Sequence, residues 1–155
     1  LADLPVKIRR AIAGVWQWYL LWLLHDKFMI GVSGVVLNER NQILLLKHRY
    51  WPEGSWGLPG GYAKKGERLE DTLAREVKEE TGYTIEVLSL LKLASGYKLR
   101  LEVHYLARMV GGDLQLDERE VLEAKFFSPD ELPIGLLAPN HEIISLALAQ
   151  EDGSP

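Results

Sequence analysis

Glu76, Glu79 and Glu80 stand at i, i+3 and i+4, a spacing that gathers three side chains on one face of an α-helix. Like charges so placed repel, by about 0.2–0.5 kcal/mol per pair even when exposed. A helix that needed only solubility would gain more from interleaved lysines. Three clustered carboxylates suit a hard divalent cation, because Mg²⁺ takes oxygen ligands and works alongside substrate phosphates. Taken alone, they also fit a solvated acidic helix face.

The element that must carry them is a helix over residues 69–81. That stretch holds no glycine or proline, and Gly82 sits where a helix would stop. Leu69, Leu73 and Val77 form an apolar stripe beside the acidic one. The helix can therefore lie on a core and still present its acids to a cleft.

The wider pattern narrows the reading. Gly61 is followed after five residues by Glu67 and after seven more by Arg75-Glu76; then come Val77, Glu79-Glu80 and Gly82. This resembles the Nudix box, G-x5-E-x7-R-E-U-x-E-E-x-G-U, with U a bulky aliphatic residue. The single departure is Tyr83 at the final U, where a bulky and largely apolar ring can still pack. The resemblance covers residues 61–83, and eight fixed residues at fixed spacing make it specific. It implies an α+β fold: an α/β/α sandwich around a mixed, curved sheet, with the box helix beside one mouth of the sheet.

The resemblance also implies an enzyme. A Nudix hydrolase breaks a phosphoanhydride bond in a nucleoside diphosphate linked to another moiety, with a divalent metal, Mg²⁺ or alternatively Mn²⁺. The chemistry demands such residues. A pyrophosphate repels hydroxide, so cations must offset its charge, and in-line attack needs positioning more than covalent help. On the resemblance, Glu76, Glu79 and Glu80 hold metal, one of them serving instead as general base. The carbonyl of Gly60 is a further ligand. Gly61, Glu67 and Arg75 support the loop that enters the helix. Glu120 is the acid expected from outside the box, with Glu123 the second choice. The competing reading is a catalytically silent Nudix-fold module that binds nucleotide. Its usual mark is loss of box acids, and here all are present.

The rest of the chain supplies the frame. With 155 residues, 47% apolar and 26% charged, one soluble globular domain is expected. A net charge of −4 argues against general nucleic-acid binding. The absence of cysteine excludes disulfides and thiol chemistry and fits a cytoplasmic setting.

Residues 1–27 form an unusual leader. Lys7, Arg9 and Arg10 precede a run from Ala11 to Leu24 that is apolar nearly all round and rich in tryptophan. It reads as an extra N-terminal helix with Pro5 near its start. Three readings stand: packing on the domain or on a second copy in a homodimer, an interfacial membrane anchor through residues 11–24, or a targeting segment.

The hydrolase domain is expected over 28–149, with a frayed polar tail at 150–155. Strands are expected at 28–37 and 42–48, paired as a hairpin across Asn38–Asn41. Two more are expected at 83–94 and 98–110 about a turn at Ser95-Gly96-Tyr97, then one at 121–127. In the second of that pair Leu99, Leu101, Val103 and Tyr105 share one face, with Lys98, Arg100, Glu102 and His104 on the other. A closing helix follows at 139–149. Lys47, His48 and Arg49 end a strand near the box and are read either as a solvated strand end or as contacts to substrate phosphates, His48 alone being weak evidence. Trp51 and Trp56 lie in the next loop, where a tryptophan either packs or stacks on a base, and Trp56 is taken as the substrate-side ring. The substrate is a nucleotide-type small molecule. No proline lies between Tyr83 and Pro129, so the downstream proline of typical ADP-ribose pyrophosphatases is absent. A nucleoside triphosphate, a nucleotide sugar and a 5′-triphosphorylated RNA end all remain open.

Overall fold

The computed structural model describes residues 6–153. Its strands are β1 (Met29–Leu37), β2 (Ile43–His48), β3 (Gly60–Tyr62), β4 (Thr84–Tyr97), β5 (Arg100–Gly111) and β6 (Val121–Phe127). Its helices are α1 (Val6–Leu24), α2 (Leu69–Thr81) and α3 (Ala138–Asp152). The strands make one mixed sheet, ordered β4-β5-β1-β2-β6, with β3 added on β1.

Strand β2 shows why the sheet is covered on both faces. Ile43, Leu44, Leu45 and Leu46 are all fully buried. A continuous apolar run of this length is what a strand sandwiched between two layers requires. Leu44 and Leu46 point to a core shared with Val32, Val36, Leu73 and Val77. Ile43 and Leu45 point the other way, to Val35, Leu37, Ile143 and Ala147. Helix α2 thus covers one face and α3 the other, giving the expected α/β/α sandwich. Gly34 lets α2 lie close: a Cβ there would run into the Leu73 side chain and stand 3.1 Å from the Tyr105 carbonyl.

The centre of the sheet is β1. It runs parallel to β5 from Met29↔Arg100 to Leu37↔Arg108. Its other edge meets β3 at Gly31 to Ser33. This alters the expected hairpin. The turn after β1 does form, with Asn38 Oδ1 accepting the amides of Arg40 and Gln42, both at 2.9 Å. Only Leu37↔Ile43 pairs beyond it, however. The strands then splay, because β3 takes the edge of β1 and β2 pairs along its length with β6. The splay opens the sheet next to the box.

Two further expectations are corrected. The β4–β5 turn falls at Lys98-Leu99, not at Ser95–Tyr97. Both residues take positive φ, 40° and 45°, as a two-residue hairpin turn demands. Gly96 instead occupies an irregularity inside β4, where the register shifts between Ser95 and Tyr97. Of the tail expected to fray at 150–155, the described part continues α3 through Asp152, with Glu151 Oε2 receiving Arg108 Nη2 at 2.6 Å, and residues 154–155 lie outside the described residues.

Helix α1 presents its described side chains to solvent. Every residue from Val15 to Leu24 is exposed, and four residues separate it from β1. Among the described residues no helix is long and apolar enough to cross a membrane. Pro5 lies outside the described residues.

Candidate active site

The box helix begins without a side-chain cap. Arg68 takes the N-cap position in an extended conformation and its side chain caps nothing. Glu70 and Asp71 in the first turn answer the exposed amides through the helix dipole. At the other end Gly82 adopts φ 78°, the left-handed stop that glycine tolerates, and Lys78 Nζ donates to its carbonyl at 2.6 Å. Leu73 and Val77 are fully buried, which fixes the rotation of α2 and turns the opposite edge, with Glu76 and Glu79, toward a cavity.

Arg75 organises the acids. Its Nε and Nη2 donate to the two oxygens of Glu67, at 2.7 and 3.0 Å. Its Nη1 donates to Glu76 Oε1 at 2.7 Å and Glu79 Oε2 at 3.1 Å, and its Nη2 also reaches the Tyr62 carbonyl at 3.2 Å. Glu67 further accepts the Lys64 amide and the Thr72 hydroxyl. The Arg75 hydrogen bond above all, aided by those donors, holds the Glu67 carboxyl down at about 2. The same bond raises Arg75 further above its ordinary value.

Glu80 is different. It is buried, at 5% exposure, and its Oε2 has no hydrogen-bond partner. Burial pushes its carboxyl up to about 8; the charges of Glu76, Glu120 and Glu79 add to the rise, and the Gly60 amide opposes it. Gly61 serves a related purpose: a Cβ there would strike the Glu76 carboxylate.

Glu120 comes to these acids through a docked loop. The Gln115 and Asp117 amides donate to the Thr81 and Glu80 carbonyls, and the Arg49 amide donates to the Glu120 carbonyl at 2.7 Å. The segment is thereby tied both to the end of α2 and to β2. Between them stands His48, whose ring lies 5.3 Å from those of both Tyr50 and Trp51. Its Nε2 is 3.6 Å from Glu120 Oε2 and 4.0 Å from Glu80 Oε1. The sequence groups His48 with Lys47 and Arg49 at the strand end, where alone it is weak evidence; what the sequence does not show is its place between Glu80 and Glu120.

Glu76, Glu79, Glu120 and His48 line one side of a cavity of about 910 Å³. The far wall carries Ser33, Lys92, Arg100, Glu102 and His104, with Asn140 and Glu142 from the start of α3. Ser33 Oγ and His104 Nδ1 are 2.8 Å apart. Burial first, then the charge of Lys92, keeps the imidazole below its ordinary pKa despite Glu142, so it is neutral near pH 7.

Other expected residues lie elsewhere. Trp56 belongs to the core, edge-on to Phe127 at 4.8 Å; the tryptophan on the cavity wall is Trp51. Lys47 pairs with Glu123 at 2.7 Å and sits over the Trp56 ring. Arg49 Nη2 donates to the Glu118 carbonyl. Neither cation lines the cavity, and Glu123 is spent on Lys47.

A family model described as the NUDIX domain matches residues 27–148. The chain belongs to the Nudix hydrolase family. It is 36% identical over 121 residues to the ADP-ribose pyrophosphatase of Methanocaldococcus jannaschii, covering 74% of this chain and 69% of that one. It is 35% identical over 102 residues to the NAD-capped RNA hydrolase NudC of Vibrio vulnificus, covering 64% of this chain and 38% of that one. Among solved structures, an ADP-ribose pyrophosphatase of Streptococcus suis superposes with a TM-score of 0.69 at 27% identity, covering 82% of this chain and 94% of that one. The chain is therefore an enzyme of the Nudix class, with relatives named for hydrolysis of nucleotide derivatives.

The donor set of this Nudix site fits a hard divalent cation. It offers carboxylate and backbone oxygens, one of them buried and unpartnered on Glu80. Among the described residues no three acidic or imidazole groups enclose an ion as they stand. Arg75 draws Glu76 and Glu79 to itself.

Proposed function

We propose that this Nudix hydrolase cleaves the phosphoanhydride bond of a nucleoside diphosphate linked to a second moiety, using Mg²⁺, with Mn²⁺ the alternative. The observation that carries the reading is the buried, unpartnered oxygen of Glu80 beside Glu76 and Glu120. Burial beside other acids holds this carboxyl protonated up to about 8, and a carboxyl perturbed in that way beside a cavity is the kind of group a bound cation would ionise and use. Glu76, Glu79, Glu80 and Glu120, with the Gly60 carbonyl, would hold the metal. When bound it would neutralise phosphate charge and lower the pKa of the attacking water.

The chain's own residues do the rest. Arg75 fixes the directions of Glu67, Glu76 and Glu79. One of the four glutamates accepts the proton of the attacking water. Releasing Glu76 and Glu79 toward a cation requires Arg75 to keep its grip on Glu67, which its two-pronged contact provides. Trp51 offers a ring to the substrate at the cavity wall. We assign the hydrolase domain to residues 28–149 and expect it to act in the cytoplasm on nucleotide-type small molecules.

The test is a panel of nucleoside diphosphate derivatives incubated with enzyme and Mg²⁺, with nucleotide products separated by ion exchange. Two phosphorylated products per event are expected. Chelation should stop the reaction and added Mg²⁺ or Mn²⁺ should restore it. Unchanged rates in the metal-stripped enzyme would refute the reading.

A further inference from the structure

Helix α1 exposes apolar side chains on every side. Trp16, Trp18 and Trp22 are 67%, 75% and 60% exposed. Val15, Tyr19, Leu20, Leu23 and Leu24 are exposed as well. At 100° per residue these positions point all round the helix axis. A helix apolar on all sides is stable only when surrounded. Pairing with a second copy would cover one stripe of each helix and leave the opposite tryptophans in water.

Composition and charge point to the surroundings. Tyr19 stacks on Trp22 at 6.1 Å and meets Trp16 edge-on at 6.3 Å, and indole and phenol rings favour the boundary between headgroups and acyl chains. Lys7, Arg9 and Arg10 are not offset by any acid from residue 4 to residue 25, although the whole chain carries −4. That local positive charge complements an anionic surface. The apolar run from Ala11 to Leu24 would measure about 21 Å at 1.5 Å per residue. A hydrocarbon core is about 30 Å thick, so the run is too short to cross and suits a helix lying in the interface.

The apolar surface continues onto the sheet. Phe28 and Met29 are exposed, and the Met29 amide donates to the Leu99 carbonyl at 2.9 Å. Leu99 is exposed too, held at the tip of the β4–β5 turn. We propose that α1, with Phe28, Met29 and Leu99, seats the enzyme on the surface of an anionic lipid bilayer.

The experiment uses the full chain and two vesicle types, pure phosphatidylcholine and a 70:30 mixture with phosphatidylserine. The protein should sediment with the mixed vesicles and less with the neutral ones. Brominated acyl chains should quench its tryptophan fluorescence. The double variant Trp18→Glu, Trp22→Glu should partition at least tenfold more weakly. Its hydrolysis of a soluble nucleotide should stay within twofold of wild type, since Trp18 and Trp22 are exposed and neither lines the cavity. The proposal fails if wild type does not sediment with vesicles, or if the double variant binds them equally well. It also fails if, without lipid, sedimentation equilibrium shows a dimer that the double variant dissolves. Absence of hydrolysis in both proteins would count against the functional reading alone, because vesicle binding is read without substrate.

Discussion

Arg75 holds Glu67 through two nearly parallel hydrogen bonds, Nε to Oε1 at 2.7 Å and Nη2 to Oε2 at 3.0 Å. The pair joins the middle of α2 to the loop that precedes it. The remaining guanidinium nitrogen then sets Glu76 and Glu79. A lysine keeps the charge but not the planar fork. Arg75→Lys is therefore expected to lower kcat at least tenfold while the melting temperature moves little. Steady-state kinetics beside a thermal melt would decide it, and unchanged kcat would remove Arg75 from the positioning of the acids.

Acid should loosen the same loop. The Glu67 carboxyl titrates at about 2 in the folded protein, below its ordinary 4.5. A group whose folded pKa is depressed contributes stability that is present above the unfolded value and lost as pH falls through the folded one. Wild type should therefore lose its advantage over Glu67→Gln between about pH 4.5 and 2. Urea unfolding of both proteins across that range measures the gap. A gap independent of pH would mean the charge of Glu67 does not matter.

The box acids should divide by burial. Glu79→Gln and Glu80→Gln are each expected to reduce turnover about 10²–10³-fold, the scale seen when a group stabilising charge at a reacting centre is removed. Glu79 is exposed and Glu80 is not. Burial holds the Glu80 carboxyl up to about 8, so without metal it is largely neutral near pH 7; a neutral amide of the same shape should therefore leave the melting temperature of the metal-free protein close to wild type. A Glu80→Gln protein that is active, or one that is unfolded, would each contradict the assignment.

The two loop tryptophans should behave in opposite ways. Trp56→Ala removes a ring from the core and should cost about 3–5 kcal/mol of stability. Trp51→Ala should leave the fold nearly intact and raise KM. Chemical denaturation and substrate titration on both variants would expose a mistaken exchange of roles.

Gly34→Ala tests the packing of the box helix. The added methyl meets Leu73 with backbone behind it, and overpacking of this kind costs about 1–3 kcal/mol. A melting temperature equal to wild type would show that α2 can retreat without loss.

The box was readable because its residues lie within one helix and the loop before it, where spacing alone determines geometry. Gly82 as the helix stop and the alternation of β5 were readable for the same reason. Long-range choices were not. Whether β2 pairs with β1 or β6 depends on β3 taking the edge of β1, a contact between residues some thirty positions apart. The turn at Lys98-Leu99 escaped because glycine is the usual host of positive φ, and here Gly96 is used within the strand instead. Trp51 and Trp56 share one loop and one composition, and only the fold assigns one to the cavity and one to the core. His48 gains meaning only when the loop at 115–120 brings Glu120 beside it.

The stub between Leu24 and Met29 has a mechanical consequence. Four residues reach under about 20 Å even when fully drawn out. The next strand carries Gly31 and Ser33 directly onto the wall of the cavity beside the box. Whatever captures the leading helix therefore keeps the cavity within about 20 Å of its far end. An enzyme docked in that manner would collect nucleotides from a thin layer above its support and would sweep for them sideways rather than through the bulk.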